Sequence, residues 1–359
     1  MKIGLIGMSK SGKTTVFNSL TGLQIDVSEF GVSSGEPNHG VVEVKDSRIT
    51  TLSESYQPKK TIYATIEYLD FPGLEEGAGS SVLIKGTMGG LVKSSDALAL
   101  IVRNFNDEIV SSMHGKPNPV SEVNALDSEL IINDLILIEK RIEKIELGYK
   151  KGIKDNIVQF EEKTLRKMAD HLNEEKPLRT LELSEDEQKA IRGFQFLSLK
   201  PLMVIINSDE DSYGTNDDVI SQLSTQFKVI EFAGKFESEL EGLDEEDALM
   251  FMQDMGITES ARDRLTKESY DLLGYISFFT VGTDEVRAWT VEKSANAVEA
   301  SGKIHSDLAR GFIRAECFNY QNWKELGSEK AVKEKGLFRL EGKNYLVQDG
   351  DILNIRFNV

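Results

Sequence analysis

A single cysteine, Cys317, in 359 residues excludes an internal disulfide and a Cys-rich zinc site, and fits a reducing, intracellular setting. Histidine is also scarce: His39, His114, His171 and His305 are scattered along the chain, a poor basis for a His-built metal centre. With 7 prolines, 8% aromatics and 40% apolar residues the composition is far from disordered or collagenous classes, and an ordinary folded protein of two or three domains is expected. Long apolar runs are absent. Leu202 to Ile206 is typical of the longest, against the roughly 18 residues a membrane span needs, so no membrane crossing is expected. Met1 to Gly7 lacks the longer apolar stretch and cleavage site of a signal peptide, and a cytoplasmic location is the expectation. Positive charge is in deficit too. A net charge of −18 argues against broad binding to phosphate backbones, and no DNA contact is expected. The deficit is uneven: residues 278–359 hold 12 basic and 12 acidic residues, so the first 277 carry all of the −18. Such a neutral module can present a local basic face to RNA, although an ordinary charge-balanced domain is the plainer reading.

What the chain does contain is an alternation of apolar runs and amphipathic stretches. Lys2 to Gly7 reads as a buried strand and Lys13 to Leu20 as the helix after a glycine-bearing turn. Val41–Val44, Ile62–Asp70, Ala97–Val102, Leu202–Asn207 and Lys228–Phe232 are further strand candidates, which predicts an α/β domain with a mostly parallel sheet. Between about Ser121 and Leu199 the pattern breaks. Val123, Leu126, Leu130, Ile131, Leu135, Ile138, Ile142 and Ile145 recur at steps of three and four, Val158, Leu165, Met168 and Leu172 continue after Gly148–Gly152, and an inserted antiparallel helical hairpin is expected. Ser184 with Glu187 is a capping-box signature for a third helix. Asp244–Met255 and Thr258–Leu273 read as helices closing the first domain. From Phe278 short strands and turns predict a compact mixed α+β domain. The expected boundaries are therefore 1–120 with 200–277, the insert 121–199, and 278–359.

Four segments carry chemistry. Gly7-Met8-Ser9-Lys10-Ser11-Gly12-Lys13-Thr14 has two glycines flanking four residues, then Lys and a hydroxyl, the phosphate-binding loop pattern. Its glycines let backbone N–H groups of Ser9 to Thr15 turn toward phosphate oxygens, Lys13 neutralises the β- and γ-phosphates, and Thr14 ligates Mg²⁺. Asp70-Phe71-Pro72-Gly73 follows a strand at the place where a second Mg²⁺-linked carboxylate and a γ-phosphate-sensing glycine are needed; on its own it is a common turn. Asn207-Ser208-Asp209-Glu210 follows the strand Leu202–Ile206, where guanine-nucleotide switches carry Asn-Lys-x-Asp. A longer final acid, Glu210, and Ser208 in place of Lys relax or move base specificity; a polar strand end is the alternative reading. Leu74 stands where many such hydrolases place a water-orienting glutamine, and leucine cannot do that work, so slow intrinsic turnover is expected. His114, in the loop Ser111–Pro119, is the candidate for approaching the γ-phosphate; a solvated loop histidine is the alternative.

With these motifs in hand, the chain resembles the YchF/Obg-like ATPase family, a translation-factor-related branch of P-loop GTPases, over essentially its whole length. Glu36-Pro37-Asn38, the Asp70-x-x-Gly73-Leu74 block, Asn207-x-x-Glu210, Glu285-Val286-Arg287-Ala288-Trp289-Thr290, Arg310-Gly311-Phe312-Ile313-Arg314 and Val347-Gln348-Asp349-Gly350-Asp351 carry the resemblance. It implies a P-loop domain, an inserted helical coiled coil and a C-terminal ubiquitin-like β-grasp (TGS) domain. It also implies ATP binding at least as good as GTP, Mg²⁺-dependent hydrolysis of ATP or GTP, and contact with a ribosome or RNA through the TGS and helical domains. An RNA- or ribosome-binding adaptor with negligible turnover is the alternative. Leu74 matches the family's hydrophobic replacement of glutamine. Three positions depart from the pattern: Lys10 stands in place of the loop asparagine, the switch threonine that contacts Mg²⁺ falls on Ser34, and the family's loop histidine aligns with Ser112, two positions before His114.

Overall fold

A computed structural model describes residues 1–25, 37–74, 86–152, 155–240, 243, 245–254, 257 and 259–358. In chain order the first half runs β1 (Lys2–Ile6), α1 (Lys13–Thr21), β2 (Asn38–Glu43), α2 (Ser47–Tyr56), β3 (Lys60–Ile62), β4 (Thr65–Asp70), α3 (Gly86–Ser94), β5 (Ala97–Asn104), α4 (Glu108–His114), α5 (Pro119–Lys150) and α6 (Asn156–Asn173). There follow α7 (Glu185–Ile191), β6 (Leu202–Ser208), α8 (Asp217–Ser224), β7 (Lys228–Phe232), α9 (Gly234–Leu240), α10 (Glu245–Asp254), α11 (Ala261–Leu272), β8 (Tyr275–Thr280) and β9 (Glu285–Glu292). The chain closes with α12 (Ala297–Ile304), α13 (Ser306–Arg310), β10 (Phe312–Asn319), α14 (Tyr320–Leu326), α15 (Glu329–Glu334), β11 (Arg339–Glu341) and β12 (Asp351–Phe357). Among the described residues no helix is long and apolar enough to cross a membrane.

The chain divides into two compact units, Met1–Gly40 with Glu67–Arg262, and Val41–Ile66 with Asp263–Val359. The first holds a six-stranded sheet in the order β2-β4-β1-β5-β6-β7, with β1, β4, β5, β6 and β7 paired in parallel. Every residue of β6 and seven of eight in β5 are buried, because helices cover both faces of a parallel sheet and leave no solvated side to alternate toward. Asn118 caps α5 by accepting Ser121 N–H, and Pro119 fills the first helical position, where its missing N–H costs nothing. Ile131, Ile138 and Ile145 of α5 meet Leu165, Met168 and Leu172 of α6, so the expected hairpin is present, and the Ser184–Glu187 capping box opens α7.

Polar groups fix the hairpin's base. Arg179 makes a two-armed pair with Asp127 at 2.9 and 2.6 Å, and the fully buried Asp134 accepts the N–H groups of Leu197 and Ser198 at 3.0 and 2.7 Å. Asp134→Ala strands two buried N–H groups, at about 1–3 kcal/mol each, and should lower the urea midpoint markedly. Burial holds the Asp134 carboxyl above its ordinary range, against the hydrogen bonds that favour its charge. A raised folded value means that protonation favours folding, a contribution present in full below the ordinary carboxyl pKa and lost as pH rises through the raised one. The gap between wild type and Asp134→Ala should therefore be widest near pH ~4 and narrow toward pH ~7 in paired urea titrations.

The second unit is a mixed sheet in the order β11-β10-β12-β8-β9-β3. β8 and β9 are antiparallel, β12 runs parallel to β8, and Phe278, Val291, Ala300, Cys317, Val347 and Leu353 form its core. Burial pushes the Cys317 thiol up to about 12, so it packs as an inert hydrophobe. Val41–Ile66 falls with this unit because β3 pairs with β9 (Lys60 opposite Glu285, Ile62 opposite Arg287) and α2 is anchored in it. Arg48 of α2 bonds Asp46 and Asp349, and Tyr56 stacks on Trp323 at 5.9 Å. The expected strand Ile62–Asp70 is consequently two strands, β3 and β4, one in each sheet.

Candidate functional site

The carboxyl ends of β1, β4, β5 and β6 are neighbours in the first sheet, the edge at which open α/β sheets place ligands. After β1 the chain turns tightly around Gly7 to Gly12 before entering α1. Lys10 at φ +61° and Gly12 at φ +89° give the left-handed turns, and a Cβ on Gly12 would lie 2.0 Å from Asn207 Nδ2. Lys13, 6% exposed, donates from Nζ to Met8 O at 2.8 Å, which folds its ammonium over the loop. Thr14 Oγ1 donates to Asp70 Oδ2 at 2.9 Å, and Asn38 Nδ2 donates to the same oxygen at 3.1 Å. The structure thus brings together the two expected Mg²⁺-linked residues, Thr14 and Asp70, from sequence positions 56 apart. Thr15 lies half-buried in the first turn of α1, while Lys10 is exposed. Ser34 lies outside the described residues.

Asp70 is 2% exposed, and its burial raises the carboxyl's pKa against the pull of Asn38, Thr14 and the Lys13 charge. A desolvated carboxylate beside a hydroxyl is a hard oxygen pair of the kind that suits Mg²⁺ completing its shell with phosphate and water. Among the described residues there is no cluster of three or more His, Cys, Asp or Glu that would hold a metal unaided. Thr14 and Asp70 therefore fit a phosphate-borne Mg²⁺, which supplies charge neutralisation when bound.

Gly73 and Leu74 bind the loop from the other side. Ser9 N–H donates to Leu74 O at 2.8 Å and Leu74 N–H to Gly7 O at 3.0 Å, and a Cβ on Gly73 would meet Ser9 Cα at 2.5 Å. The Leu74 side chain, 6% exposed, packs with Ile6, Phe71, Val92 and Leu100. Its backbone thus fastens the phosphate loop while its side chain is buried in the core.

The end of β6 separates the three expected base-reader residues, Asn207, Ser208 and Glu210. Asn207 is buried and donates to Ser11 O at 3.0 Å while accepting Gly234 N–H at 3.1 Å, so it braces the phosphate loop. Ser208 is 2% exposed; it donates to Glu231 at 2.7 Å and accepts from Asn104 at 3.1 Å, an internal network that occupies its hydroxyl. Asp209 accepts Ser212 N–H at 3.0 Å and Asn106 N–H at 3.2 Å. Glu210, in contrast, is exposed.

His114 differs from its expected setting. It is the last residue of α4 rather than part of a loop, and both ring nitrogens are buried without a hydrogen-bond partner. It faces a cavity of about 200 Å³ together with Met8, Ser9, Ser11, Arg103 and Glu122. Sequence reasoning missed Arg103 and the carboxylate-holding role of Asn38. A charged residue directly after the apolar run Ala97–Val102 was the signal for the first.

Two family models match: YchF-GTPase_C, a protein of unknown function, over residues 275–358, and MMR_HSR1, a 50S ribosome-binding GTPase, over residues 2–140. The Ribosome-binding ATPase YchF of Bacillus subtilis (strain 168) is 37% identical over 363 residues, covering 99% of both chains. This chain belongs to the YchF family. The Escherichia coli O157:H7 Ribosome-binding ATPase YchF is 35% identical over 362 residues, covering 100% of this chain and 99% of its own. The solved Schizosaccharomyces pombe YchF GTPase superposes with a TM-score of 0.82 at 27% identity, covering 99% of this chain and 97% of that one. A P-loop GTPase domain followed by a YchF C-terminal domain is thus the architecture, as the YchF resemblance implies.

Proposed function

We propose that this YchF protein is a Mg²⁺-dependent P-loop NTPase that hydrolyses the β–γ bond of ATP or GTP and associates with the ribosome in a nucleotide-dependent way. The observation that carries the reading is the 2.9 Å contact of Thr14 with the buried Asp70, directly beside Lys13. Backbone N–H groups of the loop bind phosphate oxygens, and the Lys13 ammonium leaves Met8 O for the β- and γ-phosphates. Gly73, which packs against Ser9 of the loop, offers its N–H to the γ-phosphate. His114, which lines one cavity with Ser9 and Ser11 and whose ring nitrogens have no hydrogen-bond partner, orients the attacking water and takes its proton. Glu210 accepts from the base and Asn207 holds the loop that the base packs on. The relatives' name, Ribosome-binding ATPase, supports ATP as substrate and the ribosome as partner.

The same proposal includes the boundaries 121–199 for the helical insert and 278–359 for the β-grasp module as ribosome- or RNA-facing parts, and a slow intrinsic rate. The second reading, a ribosome adaptor with negligible turnover, is favoured by the burial of Leu74 where water-orienting glutamine would stand. Single-turnover hydrolysis of ATP by wild type and His114→Ala separates them. A loss on the order of 100-fold in the variant supports the enzyme; equal rates at the background of bulk solution leave the adaptor. Cosedimentation with ribosomes should depend on a non-hydrolysable ATP analogue, and identical pelleting with and without it would count against the switch.

A further inference from the structure

We infer that Arg103 is the positioning residue for His114 in nucleotide hydrolysis, an inference that rests on the reading of His114 given above. Arg103 sits at the carboxyl end of β5, opposite Asn207 of β6. Ile101, two residues earlier, has its carbonyl 2.3 Å from where a Cβ on Gly7 would stand, so this strand end is the wall of the phosphate loop. At 3% exposure the Arg103 side chain is nearly enclosed.

Its guanidinium spends two arms on one turn of backbone. Nη2 donates to Gly115 O at 2.5 Å and Nη1 to Ser111 Oγ at 3.4 Å. Ser111 and Gly115 are themselves joined by the N–H of Gly115 and the O of Ser111 at 3.0 Å, so the fork grips the closing turn of α4, the turn that carries His114. A cation at a helix's carboxyl end also opposes the unpaired carbonyls there. A seven-residue helix has too few internal bonds to hold its own position, so its placement comes from such anchors. The main chain of Arg103 reaches the other way: its N–H donates to Glu122 Oε2 on α5 at 3.3 Å. One residue therefore sets α4 and the long hairpin helix against the cavity that Ser9, Ser11 and His114 share. The guanidinium points its donors at backbone and Ser111, which makes Arg103 a support for His114.

The alternative is an arginine that merely completes the fold. Steady-state ATP hydrolysis and fluorescent-ATP binding on the full chain distinguish the two for Arg103→Met, Arg103→Lys, His114→Ala and the Arg103→Met/His114→Ala pair. Arg103→Met should lower kcat by the factor seen in His114→Ala, on the order of 100-fold, with KM and ATP affinity within about threefold of wild type. Residues acting through one another are not additive, so the double variant should match His114→Ala alone. Arg103→Lys keeps the charge and loses an arm, and should recover part of kcat. It carries the test if the methionine variant does not fold, since its kcat must still drop at unchanged ATP affinity. Full kcat in a folded Arg103 variant, or losses that multiply in the double variant, overturns the inference while leaving His114 in place. An unchanged kcat in His114→Ala overturns both.

Discussion

Lys13→Ala should lose ATP and GTP binding by close to a thousandfold while the chain stays folded. The ammonium is held inside the loop by Met8 O at 2.8 Å, already within the ring of backbone that would surround phosphate. A charge pair at about 4 Å in an effective dielectric near 20 is worth about 4 kcal/mol, which is nearly three decades in affinity. Alanine keeps α1 intact, because it is the best helix former and Lys13 opens that helix. Equilibrium binding of a fluorescent nucleotide, with a circular-dichroism melt as control, checks it. Unchanged affinity in a folded variant would remove the phosphate-loop assignment.

Gly12→Ala should damage both stability and binding. The residue stands at φ +89°, a conformation that costs an L-residue about 1–2 kcal/mol. Its new Cβ would also fall 2.0 Å from Asn207 Nδ2, displacing the side chain that ties Ser11 O to Gly234 N–H. Two buried hydrogen bonds at about 1 kcal/mol each bring the loss to roughly 3–4 kcal/mol, a large share of an ordinary domain's stability. Urea unfolding measures it. Because clash and hydrogen bonds share Asn207, the Gly12→Ala/Asn207→Ala pair should cost clearly less than the sum of its single variants. Strict additivity would mean that the bracing through Asn207 is not there.

How far the chain could be read in advance follows from the range of the forces involved. The phosphate loop, β6 and the hairpin stripe were legible because each depends on local pattern: a glycine-spaced turn, a continuous apolar run, a three-four rhythm. The placement of Val41–Ile66 was not. It follows from pairing between Lys60–Ile62 and Glu285–Arg287, more than two hundred residues apart, and from Arg48 meeting Asp349. Apolar patterning predicts a strand and is silent on which sheet receives it. The same holds at the site. Thr14 and Asp70 were readable from motif, whereas the commitment of Ser208 to Glu231 and the enclosure of His114 depend on distant side chains. Leu74 was read as a missing catalytic group; its structural part, two backbone bonds to the phosphate loop, has no signature in residue type.

Titration calorimetry of ATP and GTP, each with Mg²⁺, against nucleotide-free protein tests the central claim most directly. One-to-one binding of ATP at least as tight as GTP, weakened when Mg²⁺ is withheld, is the expected result. No heat of binding with either nucleotide, or GTP bound far more tightly than ATP, would contradict it.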